Sequence, residues 1–172
     1  SFSVSGTTEP VGIKTLAVTA TDDATNTGTG DVTVYVHEPG IYMADNPDAT
    51  FDEGYWYSWS GSCSFIGTDF RYISSADTDP YSVTWAVPAS MPADTYSVWA
   101  NFPCGLSVNE DQVYYTINYS GSGSDIAGPF DQRTSGWTLL GTYSLDAGAG
   151  SVVLSGTGSG GEVDADAIKW EP

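Results

Sequence analysis

Aromatic residues are concentrated in the run Tyr55-Trp-Tyr-Ser-Trp59, which lies beside a loop rich in glycine and serine. Alternate side chains of a strand point to the same side, so Tyr55, Tyr57 and Trp59 would share one face. Exposed aromatic rings can stack against the apolar face of a sugar ring. The run therefore predicts a carbohydrate contact. The alternative is that Trp56 packs in the core while the other three rings cover the edge of the fold.

Other candidate groups carry weaker signals. Arg71 is one of only four basic residues among 22 acidic ones. Its guanidinium favours an internal bidentate pair with a carboxylate, and an acidic sugar is the alternative partner. Three further residues are secondary candidates for sugar contact that we expect in the core: Phe102, Leu106 and Tyr115.

Catalytic motifs are missing from the sequence. The single histidine, His37, is not accompanied by a serine or cysteine motif that would supply a nucleophile. There is no HExxH, GxSxG or phosphate-binding loop pattern. Acidic residues this numerous form pairs by chance, so a carboxylate pair for glycoside hydrolysis carries no weight. We expect no enzymatic activity and assign no catalytic residue.

The formal net charge of −18 limits the partners of this chain. Nucleic-acid backbones and anionic membranes should be repelled by such a surface. The sequence shows neither a signal peptide nor a membrane-spanning run, so we expect an excised or mature piece. The acidity is typical of the solvated surface of a secreted or salt-adapted protein, and calcium binding by some carboxylates is compatible with it.

Both cysteines, Cys63 and Cys104, lie in loop-like surroundings of glycine, serine and proline. Free thiols are usually buried, and these contexts are not typical of a buried site. We predict one disulfide formed in an oxidising, extracellular compartment. Two unpaired, half-buried thiols are the alternative.

Period-two alternation, without any sustained helical period, predicts an all-β protein. The clearest runs are 81–87 and 95–102, read as antiparallel strands of a sandwich joined by a proline-containing turn. In the second run, Tyr96, Val98 and Ala100 share one face, opposite Trp99. The strands expected in the larger domain are 42–45, 56–58, 70–73, 82–87, 95–102, 113–119, 128–132, 137–143, 151–155 and 163–170.

Residues 1–38 read as a separate unit, with expected strands at 2–5, 13–21 and 31–37. The run TATDDATNTGTGDVTVYV resembles the closing strands of bacterial immunoglobulin-like repeats. About three strands are marginal alone. Completion could come from an upstream segment, from another copy by strand complementation, or from docking on the next domain. Residues 39–41 are the predicted linker, and 42–172 the second domain.

Several motifs of the second domain resemble the golvesin C-terminal-like module, also described as a xanthan-lyase carbohydrate-binding-like domain. They are Asp45-Asn-Pro-Asp48 with Phe51, Gly67-Thr-Asp-Phe-Arg-Tyr72, Met91-Pro-Ala-Asp-Thr-Tyr96, Trp137-Thr-Leu-Leu-Gly-Thr-Tyr143, and Val163-Asp-Ala-Asp-Ala-Ile168. Asp94 departs from the usual glycine, and Cys104 departs from the usual loop.

This resemblance implies a galactose-binding-like jelly-roll sandwich. Such modules are extracellular accessories of polysaccharide lyases, hydrolases or surface proteins. The resemblance therefore implies a non-catalytic module that binds polysaccharide. The alternative is a structural subunit of an extracellular filament or surface matrix, assembled through the N-terminal unit.

Acidic residues cluster at both ends of the second domain. Glu162, Asp164 and Asp166 would share one strand face, and Asp45 and Asp48 come early in the domain. If the first and last strands pair, as the resemblance implies, Asp45 and Asp166 approach each other. A hard cation would relieve their repulsion. We predict a structural calcium held by Asp45, Asp48 and Asp166, with capping of main-chain donors as the alternative.

A second candidate calcium site lies in the N-terminal unit. It comprises Asp22, Asp23 and Asn26. These residues also suit a turn built by side-chain hydrogen bonds, which is the alternative for this segment.

Overall fold

Alternating β-branched and aromatic residues, interrupted by glycine, proline and aspartate, build almost every element of this chain. The computed structural model describes residues 12–21, 27–36, 40–158 and 160–172. Four features of the sequence analysis lie outside this part: expected strand 2–5, the acidic turn with Asp22, Asp23 and Asn26, residues 37 and 38 at the end of the first unit, and linker residue 39. The chain divides into two units, Ser1–Gly40 and Ile41–Pro172.

The smaller unit contains two described strands, β1 (Gly12–Thr21) and β2 (Thr27–Val36). They pair antiparallel without interruption from Gly12 opposite Val36 to Thr21 opposite Thr27. The first strand follows the expected run closely, whereas β2 begins at Thr27, four residues before the expected start at 31. The immunoglobulin-like assignment stays a prediction.

The larger unit is an all-β sandwich, which confirms the predicted fold class. Its strands are β3 (Tyr42–Ala44), β4 (Thr50–Glu53), β5 (Tyr57–Trp59), β6 (Phe70–Ile73), β7 (Pro80–Ala86), β8 (Asp94–Phe102), β9 (Val113–Tyr119), β10 (Gly123–Phe130), β11 (Gly136–Leu145), β12 (Ser151–Thr157), β13 (Val163–Ala165) and β14 (Ile168–Glu171). Short 3₁₀ turns occupy Asn46–Asp48 and Ser120–Ser122. No helix within the described ranges has the length and apolar character needed to span a membrane.

Three sheets make up the sandwich. One has five strands in the order β10-β9-β12-β7-β4, and one has four in the order β11-β8-β14-β3. A small sheet of three strands, β13-β6-β5, carries the aromatic run. Because β3 pairs antiparallel with β14, the first and last strands of this unit are neighbours, as the resemblance implied.

The core lies between the two larger sheets. Tyr96, Val98 and Ala100 of β8 are buried, while Trp99 on the other face is half-buried, as the alternation predicts. The largest fully buried rings elsewhere include Trp85 and Trp170. Full burial of such a side chain stabilises the fold by roughly 2–3 kcal/mol.

Two features of the topology differ from expectation. Strands β7 and β8 lie in different sheets, because the connection through Pro88 and Pro92 carries the chain across the sandwich. The single expected strand 163–170 is two strands in two sheets. It breaks after Ala165, where the Asp166 side chain accepts hydrogen bonds from the Ile66 amide and from Asn101.

Candidate functional site

A sheet of aromatic side chains forms where β5 pairs with β6. Tyr57 lies opposite Tyr72, and Trp59 lies opposite Phe70. Because paired residues of an antiparallel ladder point to the same side, these four rings share one face. The rings of Tyr57 and Tyr72 stack with their centroids 5.3 Å apart. Tyr55 adds an edge-to-face contact with Tyr57 at 4.7 Å.

A groove of about 400 Å³ opens beside these rings. Its aromatic lining comes from Trp59, Phe70 and Tyr72. The other lining residues are Ser62, Cys63, Cys104, Leu106 and Glu162. The groove therefore combines three rings with one acidic side chain. We call it the aromatic groove.

The predicted disulfide is present and forms part of this groove. Cys63 and Cys104 are bonded with their Cα atoms 4.8 Å apart. Beside the bond, the Ser64 amide donates to the Pro103 carbonyl at 2.8 Å. Two loops far apart in sequence are thereby joined at the groove, and the alternative of free thiols is wrong.

The indole of Trp59 is 48% exposed, although it belongs to a paired strand. Its position depends on Gly61, because a Cβ atom there would lie 2.6 Å from the indole Nε1. Any larger residue at position 61 would therefore push the indole away. Tyr55 and Tyr57 are also exposed, next to the groove rather than in its lining.

Trp56 takes the alternative role of a core ring. It is half-buried and packs edge-to-face on Phe51 and Tyr81. Its indole N–H donates to the Glu53 carbonyl at 2.7 Å. The aromatic run thus divides, with Trp56 facing the core and the other rings facing outward.

Arg71 lies on the opposite face of β6 from the groove rings, because it pairs with Ser58. Its Nε lies 3.6 Å from Oδ2 of Asp69, which also accepts the Ser58 hydroxyl. The structure thus gives Arg71 an ion pair with Asp69 through Nε rather than the predicted bidentate pair, and brings it to no groove contact. Sugar contact by Tyr55, Tyr57, Trp59 or Arg71 stays a prediction.

Four of the groove residues were not predicted from the sequence as binding residues, and a fifth was misplaced; the four are Ser62, Phe70, Tyr72 and Glu162. Leu106 was expected in the core, yet it is 47% exposed and lines the groove. The other two secondary candidates, Phe102 and Tyr115, are core residues as expected. The alternation in Phe70-Arg-Tyr72 was a usable signal, since it places both rings on one strand face.

The acidic residues predicted to hold calcium are partly engaged elsewhere. Oδ1 of Asp45 accepts the Asn46 amide at 2.7 Å, and Oδ2 of Asp48 accepts the Asp45 amide at 3.4 Å. This reciprocal capping is the alternative stated for Asp45. Across the described ranges, no group of three or more acidic, histidine or cysteine residues is arranged to hold a metal ion. Calcium stays a prediction.

Asp166 is 2% exposed and lies near Asp45. Its Oδ2 accepts from the Ile66 amide at 3.0 Å and from Asn101 Nδ2 at 2.6 Å. Its Oδ1 is buried without a hydrogen-bond partner. Burial, with smaller contributions from Asp45 and Asp69, raises the pKa of Asp166 to about 7.

Asp164 is equally buried in the same segment. Its Oδ2 accepts from Asn109 Nδ2 at 2.5 Å, and its backbone exchanges two hydrogen bonds with the Gln132 side chain. Burial, with a contribution from Glu162, raises the pKa of Asp164 to about 7. The three acids predicted to share a face therefore have separate surroundings, and Glu162 alone lines the groove.

Residues 42–172 match the Golvesin C-terminal domain family. The chain belongs to this family. The golvesin C-terminal domain thus accounts for the whole sandwich, and the recognition drawn from the motifs is confirmed. A search of curated proteins found no match.

Two solved structures are similar to this chain. One is a Paenibacillus xanthan lyase, with a TM-score of 0.69, 25% identity, and coverage of 82% of this chain and 14% of the lyase. The other is a Podospora anserina GH26-CBM35 β-(1,4)-mannanase, with a TM-score of 0.50, 12% identity, and coverage of 78% of this chain and 28% of the mannanase. The chain therefore spans a minor part of both proteins.

Proposed function

We propose that this chain is a non-catalytic, extracellular module that binds polysaccharide through the aromatic groove. The observation that carries the proposal is the exposed Trp59 indole beside Phe70 and Tyr72 in that groove. A volume of about 400 Å³ is within the range of small-ligand sites in proteins. Flat apolar rings suit the C–H faces of sugars. The golvesin C-terminal domain fold supports the same function.

The composition of the groove supports binding without catalysis. Glycoside hydrolysis ordinarily needs two carboxyl groups on either side of the scissile bond. Glu162 is the one carboxylate among the residues that line the groove. The disulfide between Cys63 and Cys104 supports an extracellular site of action.

Affinity electrophoresis through gels that contain neutral, cationic or anionic polysaccharides tests this proposal. Tyr72→Ala should remove the retardation, because it deletes a groove ring. Tyr114→Ala is the matched control, since Tyr114 is exposed on β9 in the five-stranded sheet. Retardation lost in the control but kept in Tyr72→Ala would place binding elsewhere. No retardation by any polysaccharide would overturn the proposal.

The paired strands of the N-terminal unit favour a second candidate function, assembly into a filament or surface matrix. Within the described residues, β1 and β2 form a sheet of two strands only. Isolated two-stranded sheets are marginal, and their outer edges can accept a strand from another copy. Light scattering without sugar tests this function. Masses far above 18.1 kDa support it, and a strict monomer at high concentration contradicts it.

A further inference from the structure

The charge of the aromatic groove comes from a single side chain. Glu162 is half-buried, and its carboxylate makes no hydrogen bond or ion pair with any described residue. Its backbone is fixed, because its amide donates to the Val108 carbonyl and its carbonyl accepts from the Glu110 amide. Burial raises the pKa of Glu162, because it disfavours the charged form of the carboxyl group. A carboxylate without a partner is thus held at the groove by a rigid backbone.

The basic side chains of the larger unit are all committed to carboxylates. Arg71 contacts Asp69 on the other face of β6. Arg133 contacts Asp111 and Asp131, each at 2.9 Å. Lys169 pairs with Glu171 at 3.3 Å. An anionic sugar in the groove would therefore meet Glu162 and no free cation of this unit.

We infer that, granted the proposed function, the groove selects glycans that carry amino groups and discriminates against glycans that carry carboxylates. The ammonium group of a glucosamine unit can pair with Glu162. The same group can lie over the faces of Trp59 or Tyr72, where the ring quadrupole attracts a cation. The chain's net charge of −18 adds a field of the same sign. Sugar rings without charge keep only the stacking contribution.

Calorimetry with three β-1,4-linked hexasaccharides tests the inference, at a pH where the amine is protonated. The ligands are the glucosamine hexamer, its fully N-acetylated form and cellohexaose; an oligogalacturonide serves as the anionic probe. We expect the glucosamine hexamer to bind about tenfold more tightly than the N-acetylated form. Added salt should reduce the difference, because it screens the ion pair.

Glu162→Gln should abolish that tenfold preference, because it weakens the binding of the glucosamine hexamer more than that of the N-acetylated hexamer. Glu53→Gln is the matched control, since Glu53 is an exposed carboxylate on β4. If the control also abolishes the preference, the bulk field is responsible and the inference is wrong. Neutral hexamers that bind as tightly as glucosamine, or tighter binding of the oligogalacturonide, overturn it while the proposed function stands. No binding by any ligand overturns both.

Discussion

Two aromatic clusters lie on the surface of the sandwich, and they differ in whether a cationic side chain lies over their rings. In the groove, no cation of the described residues lines the site with Trp59 and Tyr72, and the charged lining group is Glu162. On the outer face of the four-stranded sheet, the Lys169 ammonium lies 4.9 Å from the Trp99 ring centroid and 5.1 Å from that of Trp137.

That difference separates a binding surface from a structural one. An aromatic face already covered by an internal cation gains about 0.5–2 kcal/mol from the contact, so a ligand must displace the cation. The groove rings carry no such occupant. The comparison predicts that changes on the groove side alter ligand binding, whereas changes on the sheet side alter only stability.

Loss of the disulfide should have the largest effect. The double variant Cys63→Ala/Cys104→Ala opens a loop whose ends are 41 residues apart, which should lower the free energy of unfolding by roughly 3–4 kcal/mol. Because the bond lines the groove, glycan affinity should fall as well. Urea unfolding and calorimetry measure both effects, and reduced wild-type protein should match the variant. Unchanged affinity in a folded variant would show that the bond is no part of the site.

The stability of the protein should depend on pH because of a buried carboxyl group in the sheet that carries the groove. Asp164 has a folded-state pKa of about 7 against an ordinary value of 3.8, so the folded protein binds more protons between these two values. Stability should therefore fall as pH rises through this window, by the order of 1 kcal/mol per unit. Urea unfolding at pH 5 and pH 7 measures the slope.

Asp164→Asn should reduce that slope by about half, because the amide cannot ionise whereas Asp166 still does. Asp146→Asn, at an exposed loop position, should leave it unchanged. Stability that rises between pH 5 and pH 7 would contradict the burial argument. Asp166 should add a similar contribution, since burial also raises its pKa to about 7.

Replacing one tryptophan of each cluster by alanine tests the comparison directly. Trp59→Ala should weaken glycan binding about tenfold or more, since buried aromatic contacts dominate many binding sites. Trp137→Ala should leave the dissociation constant unchanged, although it removes a ring beside Lys169. Isothermal calorimetry on both variants measures the contrast. Equal losses would remove the distinction between the two surfaces.

The sequence predicts strands best where alternation is strict. The expected bounds of β6 and β9 agree with the structure, and buried and outward positions alternate along most of β9. Strand β4 was not predicted, because Thr50–Glu53 has only one large apolar residue and therefore shows no alternation. The run through 163–170 reads as continuous, and only the tertiary hydrogen bonds of Asp166 show why it breaks.

The groove was only partly predictable, for a related reason. Trp59 belongs to a dense aromatic run, so its exposure followed from local sequence. Its partners Phe70 and Tyr72 join it through strand pairing, and Leu106 and Glu162 through loop packing. Pairing register and loop position depend on contacts between distant segments, which the periodicity of a single segment does not contain.

Calcium binding should have the smallest effect on stability. The predicted site lies where the chain passes from the three-stranded groove sheet into the four-stranded sheet. The Asp45 and Asp48 carboxylates each already use one oxygen in capping, and Asp166 contributes one buried free oxygen. Calcium prefers six to eight oxygen ligands, so this site should bind it only at millimolar concentrations. At about twice the dissociation constant, the stabilisation is roughly 0.6 kcal/mol.

Thermal unfolding with calcium, with magnesium and with chelator measures this small shift. Asp45→Asn should abolish the calcium response, because it removes one charge from the pair with Asp166. Asp79→Asn, at an exposed position, should preserve the response. A melting temperature that is identical under all three conditions would contradict the calcium prediction. It would leave Asp45 and Asp48 as capping residues, and Asp166 as a buried acid held by Asn101 and the Ile66 amide.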